Sequence, residues 1–294
     1  MNSREEGFLL LTSKLGDPAR KVLTVAQLRS LAMRIHSVRH PNDDRMLTQQ
    51  DLLAVGCGRE EAQQILALLS QEQALHSYLS QGKLYGCTAL TRASDDYPAI
   101  IRQRLGLDSP GCLWLKGDAS ILQMPAVSLV GSRELREPNR EFARAVGYQA
   151  AVQGLTLVSG NARGADRTAQ DSCLAAGGRV ISVVADELWK QPERRNVLYI
   201  SEEGYDEAFS AQRALSRNRC IHALGLIVFV AQASLHKGGT WGGTVRNLRF
   251  GWSMVACFRD GSQSALELEQ LGAYLIEMED LEQFRALPEQ QSFL

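Results

Sequence analysis

The sequence predicts an α/β fold: a doubly wound, mostly parallel sheet with helices on both faces, preceded by a smaller all-helical domain. Three patterns lead there. Between Thr24 and about Ser80 apolar residues recur at helical spacing, as in Val25, Leu28, Leu31, Ala32 and Ile35, then Ile65, Leu66 and Leu69. Beyond Leu84 short continuous apolar runs alternate with amphipathic stretches, as expected for buried parallel strands covered by helices. Several of these runs end in turns rich in glycine and arginine. The break should fall near Gly82 to Gly86, giving a helical domain over residues 1–84 and an α/β domain over 85–294.

Within the first region, Thr48 followed by Asp51 reads as a capping-box-like helix start. Gly56-Cys57-Gly58 ends that helix, and a second one begins at Arg59. Such helix–glycine–helix pairs serve packing more often than DNA binding. In the second region the strands expected are 112–116, 126–130, 156–159, 179–184, 225–230 and 254–258, with helices over 139–153, 164–177 and 243–252. There is no internal repeat.

Composition excludes several classes. With 45% hydrophobic and 22% charged residues in 294, the chain is neither disordered nor fibrous, and it is long enough for two unequal units. A net charge of −1 means that any nucleic-acid site must come from local clustering of Arg and Lys. The six cysteines (Cys57, Cys87, Cys112, Cys173, Cys220, Cys257) stand singly, which suits free thiols in a reducing cytoplasm. The five histidines (His36, His40, His76, His222, His236) lack metal-ligand spacing, and no cofactor is expected. The amino-terminal MNSREEGFLLLTSK lacks the basic start and length of a secretory signal, and no run approaches the ~20 apolar residues of a membrane span. A cytoplasmic protein is expected.

Four segments carry chemistry. The run AVSLV passes into Gly131-Ser132-Arg133, where glycine lets the backbone approach an anion and Arg133 offers two donors to a phosphate. A tight strand-to-helix turn needs glycine with or without a ligand, so this turn alone decides nothing. The second segment, Ser159-Gly160-Asn161-Ala162-Arg163-Gly164-Ala165-Asp166, aims Arg163 and helix-start amides at the carboxyl edge of the sheet, where open α/β folds bind ligands. Asp166 suits capping or orienting Arg163. The third places Arg213, Arg217 and Arg219 within seven residues, beside Asn218, which could read a base edge or hold a loop. One member of such a cluster commonly turns inward to a carboxylate. The fourth, His236-Lys237-Gly238-Gly239-Thr240-Trp241-Gly242-Gly243-Thr244, offers amides, hydroxyls, the Lys237 charge and an indole that either stacks a base or packs in the core.

In this order, these residues resemble the DprA/Smf family of DNA-processing proteins over roughly residues 90–279. Tyr97-Pro98, Leu105 and Leu113-Trp114-Leu115-Lys116-Gly117 are similar to the lead-in of that family; Gly131-Ser132-Arg133 to its GSR turn; Ser159 through Asp166 to its SGxARGxD loop. Arg217-Asn218-Arg219 resembles its RNR element, and Gly272-Ala273-Tyr274-Leu275-Ile276 with Glu279-Asp280-Leu281 its closing strand and helix. The resemblance implies a Rossmann-like domain binding single-stranded DNA without cleaving it, a helical domain like a sterile-alpha-motif fold before it, dimerisation, and contact with a RecA-type recombinase. The chain departs from the family's SGxLxTA at Lys237 through Thr244, and keeps only a loose version of its DxxYPxxN stretch over residues 187–196. Ending at Leu294, it is expected to lack the winged-helix domain of some members.

Two other classes share parts of these motifs. Gly238 through Thr244 also resembles the PGGxGTxxE element of nucleotide phosphoribohydrolases, but Val245-Arg246-Asn247 stands where their glutamate would. A sensor of a small nucleotide would use the same phosphate cradle. The reading adopted is single-stranded DNA held by Arg133, Arg163, Arg217 and Lys237, with Gly131, Ser132, Ser159, Gly160, Gly164, Gly239 and Thr240 shaping the pocket and Asn218 and Arg219 as further candidates.

Overall fold

The computed structural model describes residues 1–36 and 47–284; His40 and residues 285–294 lie outside them. The chain opens with α1 (Ser3–Thr12), α2 (Val25–His36), α3 (Gln49–Ala54), α4 (Arg59–Leu69) and α5 (Glu72–Leu84). The capping box read at Thr48 is present: its hydroxyl accepts from the Asp51 backbone N–H at 3.3 Å, and the Asp51 carboxylate accepts from the Thr48 N–H at 2.8 Å. Thr48→Ala is therefore expected to cost about 1 kcal/mol in a denaturant titration, with Thr48→Asp retaining most of it.

The helical region does not pack as one unit. Leu23, Leu31, Leu52, Ala62, Ile65 and Leu68 form a small core of their own. Leu9 and Leu10 of α1 and Leu75 and Tyr78 of α5 instead join the core beneath the sheet. There Tyr78 stacks on Tyr205 at 4.4 Å between centroids and meets Trp114 edge-on at 5.2 Å. Helix α1 was not read from the sequence; Asn2 and Glu5 cap it reciprocally.

Nine strands follow: β1 (Cys87–Thr91), β2 (Cys112–Lys116), β3 (Ala126–Val130), β4 (Thr156–Ser159), β5 (Arg179–Val183), β6 (Val197–Ser201), β7 (Ile227–Val230), β8 (Met254–Phe258) and β9 (Tyr274–Ile276). They form one sheet in the order β1-β2-β6-β5-β4-β3-β7-β8-β9. The stretch from β6 to β9 is parallel throughout, whereas β2 runs antiparallel to both β1 and β6. Strands β1 and β6 were absent from the hydrophobic reading, and β9 was expected only from the family resemblance.

Helices α6 (Ala99–Leu105), α7 (Glu137–Val152), α8 (Ala165–Ala175), α9 (Ala211–Ser216), α10 (Asn218–Leu224), α11 (Gly238–Phe250) and α12 (Gln263–Gln270) complete the fold. Phe142, Val146, Ala169 and Cys173 of α7 and α8 cover one face of the sheet. Ile101, Ile221, Trp241 and Leu268, from α6, α10, α11 and α12, cover the other, so the sheet is doubly wound. The sequence placed a loop over 238–242 and a helix from 243, but α11 begins at Gly238. Four glycines oppose a helix by about 1 kcal/mol each. Close packing overrides that preference: a Cβ on Gly243 would stand 3.0 Å from the buried His222 Nε2, and one on Gly239 3.0 Å from the Asn218 amide.

Candidate nucleic-acid interface

Strand β3 lies mid-sheet, with β4 on one side and β7 on the other. The chain leaves β3 towards β4, β5 and β6 and returns beyond it at β7, so a crevice opens at the carboxyl ends of β3 and β7. Three of the four segments read from the sequence leave the carboxyl ends of β3, β4 and β7, and the fourth, at the α9–α10 junction, bonds to one of them.

Direct contacts tie the turns together. The Ala165 N–H at the start of α8 donates to the Ser132 carbonyl at 3.1 Å. The Thr240 hydroxyl in the first turn of α11 donates to the Gly131 carbonyl at 3.0 Å. The Asn218 amide donates to the Gly239 carbonyl at 3.0 Å. Gly164, at φ +91°, lies against the Ser132 and Arg133 carbonyls, and a Cβ there would stand 2.5 Å from the Ser132 oxygen. Gly160 leaves room for the Arg217 guanidinium, which occupies the space a Cβ would need.

The candidate residues divide by environment. Arg133, Arg163 and Lys237 are exposed and make no ion pair among the described residues. Ser132 is half-buried; its oxygen accepts from the Glu134 N–H at 3.3 Å, leaving its own hydrogen free for a ligand. Arg217 is half-buried beside Asp166, whose carboxylate accepts from the Ala162 N–H at 3.2 Å and so closes the loop between Gly160 and Gly164. Burial pushes the Asp166 carboxyl up, against the opposing pull of the Arg217 and Arg133 guanidiniums. Burial likewise lowers Arg217, opposed first by Asp166. Asp166 thus orients the loop; the residue at the N-cap of α8 is Gly164.

Other candidates turn inward. Ser159 is fully buried, its hydroxyl accepting from the Gln170 amide at 2.7 Å, so it braces the sheet and does not line the rim. Arg219 pairs with Glu202 at 2.9 Å, a carboxylate that the sequence reading did not connect with it. Arg213 is 8% exposed and donates to the Ala185, Glu207 and Ala208 carbonyls and to Ser201. Asn218 holds a backbone turn and does not project as a reader of bases. Trp241 is 9% exposed, within the core and edge-on to His236, so its face is not available for stacking. Arg167, which the sequence reading passed over, is exposed in the first turn of α8, its Nε directed at the Asn161 carbonyl at 3.4 Å. Its position just after the SGxARGxD-like loop was the available signal.

All six cysteines are buried and unpaired. Among the described residues no group of three or more His, Cys, Asp and Glu side chains could hold a metal, and no helix is long and apolar enough to cross a membrane.

Comparison with known proteins agrees with this architecture. Residues 88–277 match the family model described as DNA recombination-mediator protein A. The chain is 31% identical over 141 residues to DNA processing protein DprA of Streptococcus pneumoniae, covering 45% of this chain and 50% of that protein. It is 30% identical over 142 residues to Protein Smf of Escherichia coli, covering 45% and 38% respectively. The matched segments thus span half or less of these relatives' own length. The X-ray structure of the Streptococcus pneumoniae protein superposes with a TM-score of 0.73 at 24% identity, covering 96% of this chain and 97% of that one. DNA processing protein A from Helicobacter pylori, solved to describe its single-stranded DNA binding mode, superposes at 0.55 with 22% identity, covering 67% and 92%. With its ordered turns, its sheet and its family match in agreement, the chain belongs to the DprA/Smf family of DNA-processing proteins.

Proposed function

We propose that the rim at the carboxyl ends of β3, β4 and β7 binds single-stranded DNA without cleaving it, in the manner of a recombination mediator. The observation that carries this reading is the convergence of Gly131 to Arg133, Gly160 to Gly164 and the start of α11 on one crevice, with Arg133, Arg163 and Lys237 left exposed and unpaired. Exposed cations that make no ion pair on a sheet edge suit phosphates, whose binding releases counterions. The single-stranded DNA studied with the Helicobacter pylori relative supports the choice of polymer. Binding without hydrolysis is supported at α11, where Val245-Arg246-Asn247 replaces a hydrolase glutamate and Asn247 is buried against Ser253 and His222. Transfer of the strand to a RecA-type recombinase and pairing of two copies are proposals that rest on family membership.

Arg163→Ala is the direct test. In anisotropy titrations with single-stranded DNA over a salt series, it is expected to weaken binding about tenfold and to flatten the log–log salt slope by about 0.7, with the melting temperature unchanged. Saturation by a mononucleotide with affinity equal to that of the polymer would instead favour a small-nucleotide sensor.

A further inference from the structure

A cavity of about 470 Å³ lies on the flank of the sheet, between the end of β2, the start of β6 and the segment 192–195. Lys116, Gly117, Glu193, Arg194, Arg195 and Tyr199 line it. Its volume lies within the ~300–1,000 Å³ typical of ligand sites, room enough for a nucleotide unit. Its charge is predominantly positive: three cations face one carboxylate. Arg194 and Arg195 are exposed and make no ion pair among the described residues. Lys116 is only 8% exposed, and its ammonium donates to the Trp189 carbonyl at 2.7 Å, leaving two of its three N–H donors.

The cavity is tied to the rim through two residues. Asn161, within the loop after β4, donates to the Gln191 side chain at 3.0 Å, and the segment walling the cavity begins at the next residue, Pro192. Arg167 reaches the carbonyl of the same Asn161, and burial pushes the Tyr199 hydroxyl up, opposed first by the Arg194 guanidinium and then by that of Arg167. Arg163, Arg167, Arg194 and Lys116 therefore mark a cationic course from crevice to cavity. An acidic or apolar interruption along it would argue for two unrelated sites, but the bridging contacts are Asn161, Gln191 and Arg167.

We propose that single-stranded DNA held at the rim continues past Arg167 into this cavity, with Arg194 and Arg195 taking backbone phosphates beyond those held by Arg133 and Arg163. The proposal rests on the reading of the rim as a single-stranded DNA site and extends it with a direction for the strand. Its consequence is a dependence on length, because an oligonucleotide short enough to occupy only the rim never meets the second pair of arginines.

The test compares the full chain with an Arg194→Ala/Arg195→Ala variant, titrated with oligonucleotides of about 5 and about 20 nucleotides and with a mononucleotide. The variant is expected to bind the longer strand about tenfold more weakly, with the salt slope reduced by about 1.4, and the shorter strand within twofold of the unmodified protein. Circular dichroism and thermal melting check that these exposed substitutions leave the fold intact. Unchanged affinity for the longer strand, with Arg163→Ala still weakening both lengths, overturns the path and leaves the rim standing. Loss of mononucleotide binding alone makes the cavity a separate nucleotide site and overturns it too. If the unmodified protein binds neither oligonucleotide, both readings fall.

Discussion

Gly164→Ala is expected to destabilise the protein by about 3 kcal/mol and to abolish most of the single-stranded DNA affinity proposed for the rim. At φ +91° and ψ −126° the residue occupies backbone space that an alanine enters only under strain. A Cβ would also collide with the Ser132 and Arg133 carbonyl oxygens, the former 2.5 Å away. Both are backbone atoms, so no rotamer change relieves the overlap; the turn after β3 must move away from the start of α8. That movement breaks the Ala165-to-Ser132 hydrogen bond and separates Arg133 from Arg163. Gly154→Ala is the natural control: it has φ +73° but nothing within 4 Å of its added methyl, and should cost only about 1 kcal/mol. Denaturant titrations of the two variants separate steric overlap from torsional strain. Equal losses would show that the two turns do not depend on each other's close approach.

Acidification should produce the second large effect, through His222. Its ring is fully buried, and burial pulls its pKa from 6.5 down to about 3. The hydrogen-bond network agrees. Asn247 spends its carbonyl on the Ser253 N–H and one amide hydrogen on the Ser253 hydroxyl, leaving the other to face His222 Nδ1 at 3.2 Å. That nitrogen must accept, so the neutral ring carries its proton on Nε2, and an imidazolium would set two donors against each other. Because the folded pKa is depressed, the unfolded chain binds the additional proton. The contribution is complete above about pH 6.5 and is lost as pH falls towards about 3. Between pH 7 and pH 5 this one group should remove about 2 kcal/mol. His222→Gln is expected to lose that much less over the same interval in chemical denaturation; parallel slopes for the two proteins would place the proton uptake elsewhere.

What the sequence revealed, and what it did not, follows from where the determining information lies. Strands β2, β3, β4 and β8 could be bounded to the residue because each is a short run with an apolar centre, buried along its whole length. Strand β1 escaped notice because it is an edge strand with a mixed burial pattern, and β6 because its five residues sit between the charged Glu193 to Arg195 and Glu202-Glu203. The helical state of Gly238 to Gly243 was illegible for a different reason. Local propensity points away from a helix, and the partners that need a side-chain-free surface, His222 and Asn218, come from another helix. The glycine and arginine turns were readable as a set because they keep their order along the chain. Which arginines remain free was not: Arg219 is claimed by Glu202, and Arg213 by the Glu203 carboxylate together with oxygens of Ala185, Ser201, Glu207 and Ala208. The cavity arginines were likewise hidden, since the sequence showed residues 187–196 only as a weak version of a family stretch.

The central position of β3 also bears on how binding competence arises. Its neighbour β7 lies about a hundred residues later in the chain, with Ser128 opposite Val228. Such remote parallel pairing is entropically expensive and tends to form slowly. The loop after β4 follows β3 closely in the chain and can dock on the turn after it, whereas Thr240 bonds to that turn only once β7 has emerged and paired. The crevice is therefore incomplete until β7 has paired with β3 and the first turn of α11 has followed it.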